Sequence, residues 1–204
     1  MRLTCLAIFL VFVLLITGCS TATKQQTSAS KKEPERKVFQ NKDAILAAVD
    51  TLEIESYSRN LTRIDLATLR PILPDDDFIN DNYNEALWFA DHNLGDHIGH
   101  GLSFIYSYVQ DGIPIVCLPH EIDHLSLFIK YNDMFMLDKG VNEAKEGYNN
   151  WVQQSEQASK LLPGYYRNFD ALKQEAKLAI EKVEQKDYQG ALPHIAYVSQ
   201  NQIC

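Results

Sequence analysis

This sequence has little positive charge and lacks the short motifs typical of nucleotide binding. It contains 19 Lys and Arg against 27 Asp and Glu, a formal net charge of −8. Because an acidic surface repels phosphate, this balance argues against nucleic acid as a direct partner. The sequence also has no P-loop, no Gly-rich dinucleotide turn and no G-x-S-x-G elbow. These absences argue against nucleotide-dependent enzymes and serine hydrolases.

Long hydrophobic runs are also scarce, and the clearest one lies at the N-terminus. It extends from Leu6 to Ile16, follows a single basic residue, Arg2, and ends at Thr17 and Gly18. The run is too short to cross a bilayer, and this order of segments is typical of a secretory signal. We therefore predict a cleaved signal segment over residues 1–18.

The end of this segment carries a motif of its own. The residues Ile16-Thr17-Gly18-Cys19 resemble the lipobox of bacterial lipoproteins, in which a peptidase cuts before the Cys and the Cys is acylated with palmitate-type chains. The resemblance implies that Cys19 anchors the chain to a membrane. The next residue is Ser20 rather than the Asp associated with inner-membrane retention, which implies the outer membrane, facing the periplasm, in a diderm cell. The alternative is an ordinary secretory signal that happens to contain a Cys.

The composition then divides the remaining chain into two parts. Residues 19–37 are rich in Ser, Thr, Lys and Gln and show no apolar periodicity, so we predict a flexible tether behind the lipidated Cys. Residues 38–204 are long enough to bury a core of their own. They are predicted to form one periplasmic domain.

Cysteine is rare in this sequence, and the four present have different predicted fates. Cys5 leaves with the signal and Cys19 is lipidated, which leaves Cys117 and Cys204. In an oxidising compartment we expect these two to form a disulfide. Two unpaired thiols remain the alternative, because the sequence gives no distance between them.

Apolar residues recur mainly at helical spacing, whereas strict alternation over the length of a strand is hard to find. The clearest stripe includes Phe169, Leu172, Ala176 and Val183, with charged residues on the other side. We therefore predict an all-α fold, a single compact domain of about six to eight helices. The predicted helices cover roughly residues 41–54, 64–69, 78–89, 102–110, 119–131, 142–162, 165–183 and 189–198.

The sharpest chemical motif is the H-E-x-x-H sequence formed by His120, Glu121 and His124. On a helix this spacing places both imidazoles on one face, where they can share zinc while Glu121 acts as general base. With Glu143 as a third ligand, the arrangement resembles the gluzincin metallopeptidases. The alternative is a charged first helical turn favoured by the helix dipole.

A second cluster of possible ligands precedes this motif. Asp91, His92, Asp96, His97 and His100 lie in a stretch interrupted by glycines, for which a polar loop is the ordinary interpretation. His97 and His100 could instead bind a metal with a carboxylate. If this cluster and the H-E-x-x-H motif converge in space, they would form a transition-metal site.

A further resemblance rests on residues 101–131. Gly101-Leu102-Ser103-Phe104-Ile105-Tyr106, Asp111-Gly112, Ile115-Val116-Cys117-Leu118-Pro119 and a helix containing Lys130-Tyr131 together resemble the Tai-type immunity proteins. These are small helical periplasmic proteins that block peptidoglycan amidases delivered by type VI secretion. The resemblance implies a helical architecture, the same compartment and a protein partner.

Three functional hypotheses follow from these patterns. The first is a membrane-anchored, non-catalytic lipoprotein that acts through protein contacts as an inhibitor, immunity or envelope accessory factor, with no cofactor. The second is a zinc metallopeptidase using His120, Glu121, His124 and Glu143. The third is a metal-binding lipoprotein that uses the His-rich middle of the chain and needs no general base.

Overall fold

The computed structural model describes residues 36–115, 117–161 and 168–201, and these residues form eight α-helices without a strand. This confirms the predicted all-α class. In chain order the helices are α1 (Lys42–Ser56), α2 (Arg63–Ala67), α3 (Asp77–Asp91), α4 (Gly95–Asp111), α5 (Leu118–Lys130), α6 (Met134–Leu161), α7 (Phe169–Glu184) and α8 (Tyr188–Gln200).

Membrane anchoring is not visible in the described part of the chain. None of its helices is both long and apolar enough to cross a bilayer. The predicted signal segment, residues 1–18, the acylated Cys19 and nearly all of the 19–37 tether lie outside the described residues. They therefore stay predictions.

The helices pack as two groups that meet through aromatic side chains. Helices α1–α4 contact mainly one another, and so do α5–α8. Between the groups, the Trp88 and Phe128 rings lie 4.9 Å apart, and the Phe89 and His124 rings lie 4.7 Å apart. The indole of Trp88 also donates a 2.8 Å hydrogen bond to Asp133. The H-E-x-x-H helix, α5, therefore begins at a junction between two sets of helices, a common location for binding pockets.

Helix α4 differs from the prediction for the His-rich stretch. The expected polar loop is wrong, because the helix begins at Gly95 and includes His97 and His100. The glycines allow close packing instead: a Cβ on Gly99 would lie 2.6 Å from Ser56 Oγ, and one on Gly101 would lie 3.4 Å from Asn82 O. The two His residues are consequently held on a rigid element.

Asp76 caps the start of α3 and ties it to the beginning of the domain. Its carboxylate accepts a 3.1 Å hydrogen bond from the Ile79 N–H and a 3.3 Å bond from the Tyr108 hydroxyl, and it forms an ion pair with Lys37. Burial alone raises the pKa of Asp76, but these donors outweigh burial and lower its pKa below the ordinary value. Asp77, the next residue, adds a second negative charge near Lys37. This carboxylate therefore stabilises the fold in its ionised form.

We expect Asp76→Ala to lower the free energy of unfolding by about 1 to 2 kcal/mol at neutral pH, through loss of the cap and the ion pair. Because the folded-state pKa is depressed, the stabilisation is present above the unfolded pKa of about 3.9 and is lost as pH falls through the lower folded value. Urea unfolding followed by circular dichroism at neutral and acidic pH measures both effects. Asp76→Asn keeps a cap acceptor and should show a smaller loss. A difference from wild type that stays constant down to about pH 2 would contradict this role.

Candidate metal site

The two His-containing clusters of the sequence converge in space. His97 and His100 from α4 meet His120 and His124 from α5. The ring centroids are 4.0 Å apart for His120 and His124, 4.9 Å for His100 and His120, and 5.3 Å for His97 and His124. The spacing of four residues does place His120 and His124 side by side on one helical face, as the sequence predicts. The partners on α4 are brought to them by tertiary packing.

One carboxylate from α3 completes a possible ligand group. One ligand atom from each of Glu85, Glu121 and His124 lies within 4.8 Å of the others. His124 Nδ1 is 3.7 Å from Glu85 Oε2. Glu85 is 7% exposed and His124 is 2% exposed, whereas Glu121 is half-buried. Among the described residues, this is the trio whose ligand atoms lie close enough together to hold one metal ion.

A cavity of about 270 Å³ opens onto both carboxylates. Among the described residues, Lys139 contributes the only cationic group that lines this cavity, and its Nζ lies 2.9 Å from Asp81 and 3.5 Å from Glu143. The acidic side chains lining the cavity outnumber this one ammonium; they are Asp81, Glu85, Glu121, Glu143 and Glu146. The cavity therefore presents a concentration of negative charge that a divalent cation could balance.

The electrostatics of the carboxyl groups reflect this crowding. The pKa of Glu85 is raised to about 7, mainly by burial, with Lys139 opposing the shift and the nearby Asp81 adding to it. Burial also raises the pKa of Glu121 well above its ordinary range, with added repulsion from Glu85 and Glu143. Burial likewise raises the pKa of Glu143. Ionising these groups together is unfavourable unless a cation joins them.

The imidazoles are held in the form that binds metals. Burial, reinforced by neighbouring imidazoles, lowers the pKa of His124 to about 3 and that of His120 to about 2. Both rings are therefore neutral at physiological pH. Four buried ring nitrogens have no hydrogen-bond partner: His97 Nδ1, His120 Nε2 and both nitrogens of His124. An unsatisfied buried polar group costs about 1 to 3 kcal/mol, and a bound ion would relieve that cost.

The site that the structure assembles differs in membership from the predicted one. Glu143 lines the cavity, but the trio within reach of one ion contains Glu85 and Glu121 and includes neither Glu143 nor His120. The gluzincin ligand set of His120, His124 and Glu143 therefore stays a prediction. Glu85 is not among the ligands predicted from the sequence. The sequence feature that could have indicated Glu85 is its place beside Ala86, which is fully buried in α3.

Two residues of the earlier His-rich cluster have other structural partners. His92 Nδ1 lies 2.7 Å from the Trp88 carbonyl oxygen, and the ring centroids of His92 and Trp88 are 3.9 Å apart with the rings tilted by 30°. Asp91 forms an ion pair of 2.7 Å with Arg63. The geometry thus separates these two residues from the site.

The predicted disulfide concerns a different part of the fold. Cys117 is buried immediately before α5, whereas Cys204 lies outside the described residues. The Cys117–Cys204 bond therefore stays a prediction.

Comparisons with known proteins return no match of any of three kinds: no family model, no curated protein and no solved structure.

Proposed function

We propose that this chain is an envelope-anchored lipoprotein whose helical domain binds a transition-metal ion through Glu85, Glu121 and His124. The observation that carries the proposal is the buried, unpartnered imidazole of His124 within 4.8 Å of two carboxylates. The lipobox ending at Cys19 supports the envelope location. Of the three hypotheses from the sequence, this is the metal-binding one, proposed here with a different ligand set.

The ligand types favour a particular class of ion. Calcium and magnesium prefer shells made entirely of oxygen, whereas Zn²⁺, Fe²⁺ and similar ions accept imidazole together with carboxylate. His124 therefore favours a first-row transition metal. The adjoining cavity gives solvent or a small ligand a place beside the ion, so the three protein ligands need not complete its coordination.

The cavity also suggests a route for the ion. Its acidic lining joins Glu85 and Glu121 to solvent, and Lys139 lies among the carboxylates. An arriving dication would be attracted by this charge and would compete with Lys139 for it. Binding and delivery of a metal need no further catalytic group. The proposed protein is accordingly a metal-binding module held at a membrane.

The test is the metal content of the full-length protein, purified in detergent without a polyhistidine tag and dialysed against a mild chelator before Zn²⁺ is added back. We expect at least one equivalent to be retained by wild type and one equivalent to be lost in Glu121→Gln. Glu143→Gln is the matched variant, since it removes a carboxylate from the same cavity but spares the trio. It should bind as wild type does.

Other outcomes would redirect the proposal. Loss of zinc in Glu143→Gln, accompanied by peptide hydrolysis in wild type, would favour the gluzincin arrangement. A wild-type protein that binds no metal at all would refute metal binding and leave the non-catalytic, protein-binding lipoprotein predicted from the sequence.

A further inference from the structure

A second set of imidazoles lies beside the trio of Glu85, Glu121 and His124 and shares no ligand with it. It consists of His97 and His100 from α4 and His120 from α5. The ring centroids are separated by 4.9 Å for His100 and His120, 6.1 Å for His97 and His120, and 6.2 Å for His97 and His100. We call these three residues the imidazole triad.

The triad combines two rings that each carry a buried, unpartnered nitrogen with one accessible ring. His120 is 4% exposed and its Nε2 has no hydrogen-bond partner, and His97 Nδ1 is likewise buried and unpartnered. His100 is exposed. Phe89 lies 5.1 Å from His97, and Phe104 lies 5.5 Å from His120, so aromatic rings border the buried members. The buried nitrogens are thus available to bind a ligand.

The separations fit a single ion between the three rings. A triangle with sides of 4.9, 6.1 and 6.2 Å has one point about 3.3 Å from all three centroids. A metal–nitrogen bond of about 2.0 to 2.1 Å, extended by the radius of the ring, places an imidazole centroid roughly 3.2 Å from a bound ion. Turning the rings so that their nitrogens face this point, with the exposed His100 free to move most, would complete the site.

We propose that His97, His100 and His120 form a second, all-imidazole transition-metal site, distinct from the one formed by Glu85, Glu121 and His124. Three neutral imidazoles without a carboxylate favour the late first-row dications Cu²⁺, Ni²⁺ and Zn²⁺, with Cu²⁺ bound most tightly. The domain would then hold two ions in ligand environments of different character, one bound through His124 and the other through His120 on the same face of α5. The second site extends the proposed function and does not depend on it, because no ligand is common to both.

Copper titration of the full-length, untagged protein, followed by electron paramagnetic resonance, tests this inference. We expect two equivalents to bind to wild type, one of them with hyperfine splitting from three nitrogens. His100→Gln should weaken binding of that equivalent by about 100-fold or more, since even residues that only orient a ligand are worth about 10- to 100-fold. As an exposed residue, His100 can be replaced without disturbing the core.

Two further variants separate this inference from the proposed function. Glu85→Gln should abolish the other equivalent and leave the three-nitrogen signal intact. His194→Gln is the control, because His194 lies on α8 and pairs with Glu175 at 2.5 Å. It should bind both equivalents.

Three results would overturn the second site: unchanged copper binding in His100→Gln, a signal with fewer than three nitrogens, or a single equivalent abolished by both His100→Gln and Glu85→Gln. The last result would mean one shared ion, and the proposed function would survive it. If wild type binds the three-nitrogen equivalent but no second equivalent that depends on Glu85, the proposed function is refuted and the imidazole triad stands.

Discussion

Replacing Glu85 by Gln is expected to have opposite effects on metal binding and on the stability of the metal-free protein. Glu85 is buried beside Glu121 and His124. Loss of its charge removes a ligand, so we expect affinity at this site to fall by about 100-fold or more. In chelator at about pH 8, however, the free energy of unfolding of the variant should be about 1 to 3 kcal/mol higher than that of wild type. The reason is that a buried carboxylate beside a second carboxyl group, that of Glu121, destabilises the fold.

Thermal and urea unfolding with and without Zn²⁺ measures both effects. The site that contains Glu85 should add about 2.7 kcal/mol to the stability of wild type when free metal exceeds the dissociation constant of that site 100-fold, whereas Glu85→Gln should lack this contribution. Glu146→Gln is a suitable control, since Glu146 lines the cavity but lies outside the trio. A Glu85→Gln protein that is less stable than wild type in chelator and still responds fully to Zn²⁺ would contradict the role of Glu85.

Replacing Phe89 by Ala is expected to cause the largest loss of stability. Phe89 is 0% exposed and its ring contacts Trp88, His97 and His124 at 5.4, 5.1 and 4.7 Å. Truncation would leave a cavity where the two helix groups meet, and large-to-small changes of this kind lower the free energy of unfolding by about 3 to 5 kcal/mol. Urea denaturation in chelator, with the slope compared between proteins, is the appropriate measurement.

Two controls show whether the effect comes from burial. Phe89→Leu keeps most of the volume and should lose about 1.5 kcal/mol or less. Phe135→Ala removes the same ring from a position that is 78% exposed, so its effect should stay within about 0.5 kcal/mol. Equal losses for Phe89→Ala and Phe135→Ala would contradict the packing of α3 against α5 described above.

The helices were largely predictable because their patterns are local. The apolar stripe containing Leu172 and Ala176 predicted α7, and Asp76 stands directly before α3 as an N-cap residue. The prediction failed at Gly95, where glycines suggested a loop but serve the close approach of neighbouring helices. Glycine in a sequence does not distinguish these two uses, since the neighbour that requires it is distant along the chain.

The candidate site was predictable only in part, for a similar reason. The spacing of His120 and His124 sufficed to place both imidazoles on one face of a helix. It did not indicate that Glu85, on another helix, lies 3.7 Å from His124. Glu143 was chosen by its distance along the chain, yet the trio that could hold one ion does not include it.

The sequence by itself determined the features that short-range patterns encode: the lipobox resemblance at Cys19, the acidic balance, the helical class and the H-E-x-x-H face of α5. Only the tertiary structure decided that α3 and α4 meet this face, and therefore that Glu85, His97 and His100 approach His120 and His124. The physical reason is that helical periodicity depends on neighbours three and four residues away. The partner of a buried polar group depends instead on how separate helices pack, which no local pattern specifies.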